Sequence, residues 1–315
     1  MTTTAVVDYI LEARKILDDI GYDGNSYRFI TKISVQSSDI KKGVDALGAG
    51  DQGIMYGYAT NETEECLPLP YLLTRNIAKR MDEVNRKHPN IFGLDGKCQV
   101  SIVYNDQDKA VHASTIVVSA QTKLGVNRGT YEPFIDEAIK AVVPENLIDE
   151  STLVLINPTG EFVKGGSYAD SGLTGRKLQV DSYGTLVPHG GGAFSGKDYT
   201  KVDRSGAYYC RYVAKAIVKA GLSETCEVSV AYAIGVPFPV AINVKATGSS
   251  HSNDEIRIII NKVFDFSPAN IIKELKLKEV EYRPLSEYGH FGGNNQSWES
   301  TSEELISKLR RIVNG

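Results

Sequence analysis

His189-Gly190-Gly191-Gly192-Ala193-Phe194-Ser195-Gly196-Lys197-Asp198, followed at once by Lys201-Val202-Asp203-Arg204-Ser205, is the most informative stretch of this 315-residue chain. It lies within Gly165–Gly206, a segment that holds ten of the 29 glycines. A run so rich in glycine is either disordered or a set of loops that approach a ligand closely. Leu173, Val180, Tyr183 and Phe194 are interleaved with the glycines and argue for order. Residues 191–198 nearly fit the phosphate-loop pattern G-x-x-x-x-G-K-[ST], but Asp198 stands where a hydroxyl would bind magnesium. No clean buried strand of parallel-sheet type precedes the loop. A phosphate-loop nucleotidase is therefore not expected. The physical parts still suit a polyphosphate: backbone N–H groups freed by glycine, and an ammonium.

Downstream, Lys197, Lys201, Arg204, Arg211, Lys215 and Lys219 are set against only Asp198 and Asp203, and Arg176-Lys177 lies shortly upstream. The chain as a whole carries a net charge of −4. A cationic, glycine-rich centre in a net-negative protein points to a small anionic ligand rather than to nucleic acid. Lys215 and Lys219 read as a solvated helix face. Asp203, just before a helix, reads as an N-cap or as a carboxylate that holds a metal on phosphates. Gly48-Ala49-Gly50-Asp51-Gln52-Gly53 reads as a tight polar loop around Asp51. The five histidines show no metal-ligand spacing. His290, in Tyr288-Gly289-His290-Phe291-Gly292, reads as a packing histidine in an aromatic–glycine turn. No Ser/His/Asp or Cys/His arrangement stands out for nucleophilic catalysis.

Around these loops the pattern is one of mixed elements. Val6, Ile10, Ala13, Leu17 and Ile20 predict a helix closed by Gly21. Further helices are predicted from Leu73-Ile77-Met81-Val84, from Phe134-Ile135-Ala138-Ala141-Val142, from Tyr209-Val213-Ile217-Ala220, and near Glu303–Val313. Strands are predicted at Gln99–Tyr104, Thr115–Ala120, Glu227–Ala233 and Val240–Ala246. The alternation of Val228, Val230 and Tyr232 marks a half-buried antiparallel strand. Turn-rich stretches fall at Lys87–Lys97, Gln121–Thr130 and Lys245–Asp254. The expected class is α+β, with helices packed on mixed sheets. No apolar run approaches the roughly 20 residues needed to cross a bilayer. Neither a secretory signal nor a CxxC pair is present, so a reducing cytoplasm is the expected setting.

Taken together, the motifs resemble one family, the S-adenosylmethionine synthetases, also called methionine adenosyltransferases. GAGDQG at Gly48–Gly53 with Tyr58-Ala59-Thr60-Asn61-Glu62-Thr63, GLTGRK at Gly172–Lys177, and HGGGAFSGKD at His189–Asp198 carry the resemblance. YAIGV at Tyr232–Val236 and YGHFG at Tyr288–Gly292 agree in order. The resemblance covers essentially the whole chain. It implies three similar, intertwined α+β domains, the first incomplete here. By that scheme residues 1–20 and 145–245 form remnant N-terminal and intertwined segments, 21–144 a central domain with the GAGDQG loop, and 246–315 a C-terminal domain. It also implies a homodimer or homotetramer with sites between subunits, and no nucleic-acid or membrane partner.

The implied reaction joins the sulfur of methionine to the 5′ carbon of ATP and then hydrolyses the released triphosphate, with magnesium and potassium as cofactors. Carried residue by residue, Arg176, Lys177, Lys197 and Lys97 hold phosphate as the catalytic cations. ATP is contacted by Asp95, Gly96, Lys97, Phe162, Asp170, Arg176, Lys177, Ala193 and Lys197, with Phe162 stacking on adenine. Methionine is contacted by Gln36, Asp51, Asp170 and Lys201, and Asp203 binds the metal. Glu161 stands where the family has an arginine, and the gating loop between Asp39 and Gly48 is shorter than usual. The family's Gly-His-Pro-Asp-Lys motif, with its catalytic histidine, finds no match among these residues. The expectation is an enzyme whose N-terminal portion lies outside this sequence or comes from another chain. The alternative is a non-catalytic paralogue that binds ATP or associates with a complete subunit.

Overall fold

The computed structural model describes residues 1–35, 48–293 and 295–314. Its strands form two three-stranded sheets, each covered by helices. The elements in chain order are α1 (Tyr9–Ile20), β1 (Gly53–Thr60), α2 (Leu69–Lys87), β2 (Phe92–Tyr104), β3 (Ala110–Thr122), α3 (Arg128–Lys140), β4 (Leu153–Ile156), α4 (Leu178–Asp181), α5 (Val202–Lys219), β5 (Thr225–Tyr232), β6 (Ala241–Thr247), α6 (Asn253–Val263), α7 (Pro268–Glu274) and α8 (Glu303–Asn314). The class is α+β, as the sequence pattern predicts.

The first sheet has the order β1-β5-β6 and is antiparallel throughout, from Gly53 opposite Tyr232 to Thr60 opposite Thr225. Its inner face carries Met55, Gly57 and Ala59 from β1 and Cys226, Val228, Val230 and Tyr232 from β5, all turned toward α5. Gly57 shows why the strand needs a glycine. A Cβ at that position would overlap the backbone of Cys210 and Arg211, so helix and strand meet at backbone contact. Helix α5 is buried nearly all round, between this sheet on one side and α7, α8 and the Ser297–Glu299 turn on the other.

The second sheet has the order β2-β3-β4, with β2 and β3 antiparallel and β4 parallel to β3. Helix α2 joins the two cores. Tyr71 packs into the first, while Leu73, Ile77, Met81 and Val84 pack into the second with Ile116, Val118 and Ile135. Helix α1 is closed by Gly21 as the sequence predicts, and its N-cap is Asp8. Asp8 accepts from the N–H groups of Ile10 and Leu11, and Gly21 closes the helix at φ 113°.

Some elements differ from expectation. The turn-rich stretch Lys87–Lys97 contracts to residues 88–91, because Gly93 and Gly96 are strand residues of β2. A Cβ on Gly93 would collide with the Gln121 side chain of the neighbouring strand. Strands β1 and β4 and helices α4, α6 and α7 are additions to the sequence reading. Among the described residues no helix is long and apolar enough to cross a membrane.

Candidate functional site

The glycine loop is fastened at three depths. Gly190 lies against the carbonyl of Ile54 in β1, so closely that a Cβ would overlap it. Gly192 lies against the carboxylate of Asp203 in the same way. Phe194 plugs the loop into the core, edge-on to Tyr208 and Phe291. Gly191 and Gly196 adopt φ of 91° and 84°, the left-handed region where a side chain is strained. A Gly190→Ala variant is expected to displace the loop from β1 and to lose about 1–3 kcal/mol of stability by overpacking. Thermal unfolding measures that loss.

Charge is arranged around that loop. Lys197 Nζ lies 2.5 Å from Asp203 Oδ2, with the two side chains 30% and 16% exposed. Asp203 sits in the first turn of α5 but is not its N-cap; Lys201 holds that place, with no side-chain capping bond. The helix N-terminus adds partial positive charge next to Lys197. Arg204 Nη1 donates to the Lys197 carbonyl at 2.6 Å and so fixes the backbone beneath the ammonium. His189 Nδ1 accepts from the Gly191 N–H at 2.9 Å, while its Nε2 is buried with no partner among the described residues. Burial pushes the His189 pKa down and Lys197 adds to that, against the opposing pull of Asp203. The neutral ring lines a small cleft with Met55, Tyr183, Gly190, Gly192 and Asp203.

Two further motifs meet the loop. Gly175 of GLTGRK, at φ 76°, packs on Ala193: a Cβ on Gly175 would lie 2.6 Å from that side chain. Arg176 and Lys177 emerge next to this contact. Both are exposed, and neither side chain makes a hydrogen bond or ion pair among the described residues. The GAGDQG loop pairs with YAIGV, since Ala49 N–H donates to Val236 and Gly235 N–H donates to Ala49. Its last glycine, Gly53, comes up beside Asp203 Oδ1. Asp51, two residues earlier, is exposed and caps the Gln52 N–H at 2.8 Å. Lys201 Nζ lies 3.7 Å from Asp198 Oδ2. Asp170 is exposed and accepts from the Ser171 N–H.

A second group of expected residues sits on the other sheet. Asp95 Oδ2 accepts from the Gly166 N–H at 2.8 Å. Gln121 accepts from the N–H groups of Leu94 and Asp95 and donates to the Val163 carbonyl. The Phe162 carbonyl accepts from Thr122. These bonds lay the segment 162–166 along the start of β2, where Gly96 and the exposed Lys97 follow Asp95. No hydrogen bond or ion pair among the described residues joins Asp95, Lys97 or Phe162 to Lys197 or Asp203. Gln36 lies outside the described residues.

The cation cluster needs one correction. Lys215 is not a solvated residue, and Arg211 does not face a ligand. Arg211 is fully buried, bonded through Nε and Nη2 to both oxygens of Glu299 and donating to the carbonyls of Tyr58, Glu65 and Cys66. Lys215 Nζ completes the triad on Glu299 Oε2 at 2.8 Å. The reason is the burial of α5 on all sides. Cations on such a helix need an internal counter-charge, and here it comes from a distant turn of the chain. Burial would raise the Glu299 pKa, but Arg211 and Lys215 outweigh it and hold the carboxyl below its usual range.

Comparison with known proteins decides what this arrangement belongs to. The description "S-adenosylmethionine synthetase, central domain" matches residues 46–162, and its C-terminal counterpart matches residues 164–300. The S-adenosylmethionine synthase of Petrotoga mobilis is 44% identical over 336 positions, covering 99% of this chain and 84% of that protein. That of Kosmotoga olearia is 44% identical over 341 positions, covering 100% and 86%. The chain belongs to the S-adenosylmethionine synthetase family.

S-adenosylmethionine synthetases work with metal ions, and the donor set of this chain says which kind it could hold. No group of three or more His, Cys, Asp or Glu among the described residues could cage an ion. The Asp203 carboxylate lies against the glycine loop at Gly192. That fits a hard cation that takes most of its ligands from phosphate and water. His189 and Ser195 were not singled out by the sequence reading. The only signal for either was membership of the glycine stretch.

Proposed function

We propose that this S-adenosylmethionine synthetase binds ATP and methionine and joins them into S-adenosylmethionine, followed by hydrolysis of the released triphosphate. The observation that carries the proposal is the meeting of GLTGRK and HGGGAFSGKD around the Lys197–Asp203 pair. A thioether has no proton to lose, so the first step asks for no general base. The sulfur lone pair forms the S–C5′ bond, and the C5′–O bond breaks with its electron pair leaving on the triphosphate. Alignment and neutralisation of that leaving group are the whole task.

In this reading Lys197, Arg176 and Lys177 take the phosphates, with Ala193 contacting ATP through its backbone. Asp95, Gly96 and Lys97 contact the nucleotide, and Phe162 stacks on adenine. Asp170 touches both substrates, and Gln36, Asp51 and Lys201 orient methionine. Magnesium, held on the phosphates by Asp203, would add positive charge beside the departing triphosphate; potassium is the second ion of the proposal. Asp203 would leave Lys197 for that role once phosphate occupied the ammonium.

A homodimer or homotetramer with sites between subunits is the proposed assembly. The exposure of Ile54 on β1 and of Ile234, Phe238 and Val240 in the connection between β5 and β6 supports it. The cytoplasm is the proposed setting, supported by four unpaired cysteines. The 44% identity to two S-adenosylmethionine synthases supports this reading over the non-catalytic alternative. Incubation of the full chain with ATP, methionine, magnesium and potassium is expected to yield S-adenosylmethionine, diphosphate and phosphate by mass spectrometry and phosphorus NMR. Absence of the sulfonium product would overturn the proposal.

A further inference from the structure

Beneath the glycine loop four polar groups stand in line. Arg204 Nε donates to Tyr208 Oη at 2.8 Å, Tyr208 Oη lies 2.7 Å from His290 Nδ1, and His290 Nε2 lies 3.3 Å from Ser195 Oγ. The direction of every bond in this line follows from chemistry. A guanidinium only donates, so Tyr208 accepts from Arg204. Tyrosine has one hydrogen, and among the described residues its other partner is His290 Nδ1. Aiming that hydrogen elsewhere would leave a buried hydroxyl unsatisfied. Nδ1 therefore accepts, the neutral ring carries its hydrogen on Nε2, and Nε2 donates to Ser195 Oγ.

The ring has little freedom to do otherwise. Tyr208 is stacked on Trp298 at 3.9 Å, and Trp298 Nε1 donates to the His290 carbonyl. Phe194 lies edge-on to the imidazole. Burial, with Arg204 adding to it, pushes the His290 pKa down to about 3, so the ring stays neutral at any working pH. With its oxygen occupied by the imidazole N–H, Ser195 has a hydroxyl hydrogen with no acceptor among the described residues. Ser195 is partly exposed, between Ala193 and Lys197 of the glycine loop.

We propose that Ser195 donates its hydroxyl hydrogen to an oxygen of the bound triphosphate, and that His290 is the positioning residue that aims it. This rests on the function proposed above. Ser195 and Lys197 then act together on one anion, one as a directed neutral donor and the other as a charge.

The test combines calorimetry with nitrogen NMR. Ser195→Ala is expected to weaken binding of tripolyphosphate with magnesium about ten- to a hundred-fold, the range of a hydrogen bond to a charged group. Ser195→Thr keeps the affinity within about three-fold. His290→Phe weakens binding to the same degree as Ser195→Ala, and the double variant is no worse than either, because His290 acts through Ser195. His290→Gln, whose amide N–H reaches where Nε2–H was, recovers most of the loss. In the wild-type chain, histidine nitrogen shifts place the His290 proton on Nε2. Unchanged binding in Ser195→Ala, or a proton on Nδ1, overturns the inference and leaves the proposed function standing. Failure of the wild-type chain to bind tripolyphosphate overturns both.

Discussion

A Lys197→Met variant turns over about a hundred- to a thousand-fold more slowly than the wild type, with the methionine KM little changed. Lys197 is an ammonium of the glycine loop whose place is fixed from both sides. Its side chain is held by Asp203, and its carbonyl by Arg204. A preorganised charge aimed at a leaving group is worth about that factor, or about 2.7–4 kcal/mol, when it is removed. The variant also leaves the Asp203 carboxylate, 16% exposed, without its partner. Steady-state kinetics with ATP and methionine varied separately measure the split. An equal rise in both KM values with unchanged kcat would count against the assignment, because it would describe a general distortion of the fold.

Glu299→Leu is the variant with the largest expected effect on stability. It strands Arg211 and Lys215 inside the first core with no counter-charge, and removing one partner of a buried pair costs about 3–5 kcal/mol. The wild-type triad also predicts a pH signature. Glu299 is held below its ordinary carboxylate value, so its contribution is present above that value and lost as the pH falls through the lowered folded one. Denaturant titrations from neutral to acid pH should show the wild type losing part of its stability there and the leucine variant lacking that component. A leucine variant as stable as the wild type at neutral pH would contradict the burial of an ionised triad.

These two residues also mark how far the sequence could be read. Lys197 was legible because glycines and a lysine at fixed spacing carry their own chemistry, whatever surrounds them. The Arg211–Lys215–Glu299 triad was not, because a window on α5 sees cations at helical spacing and no counter-charge. Helix α1 could be read from its stripe and from Gly21, and β5 from its Val228-Val230-Tyr232 alternation. Strand β1 was hidden by Gly53 and Gly57, residues that weaken strand propensity. Gly57 is explained only once the backbone of α5 is seen against it. Helix α6 begins at a capping box, Ser252 with Glu255, inside a stretch that reads as a turn. His290 read correctly as a packed residue, but its bond to Ser195 joins residues far apart in sequence and has no local signature.

The central claim is that the glycine loop and its cations clasp a triphosphate. A crystal structure of the full chain with methionine, magnesium and a non-hydrolysable ATP analogue tests it most directly. The account predicts the triphosphate against the Gly190–Gly192 backbone, with Lys197 released from Asp203 onto a phosphate oxygen and Arg176 and Lys177 closing over it. A triphosphate seated away from this loop, with the Lys197–Asp203 pair still intact, would contradict it.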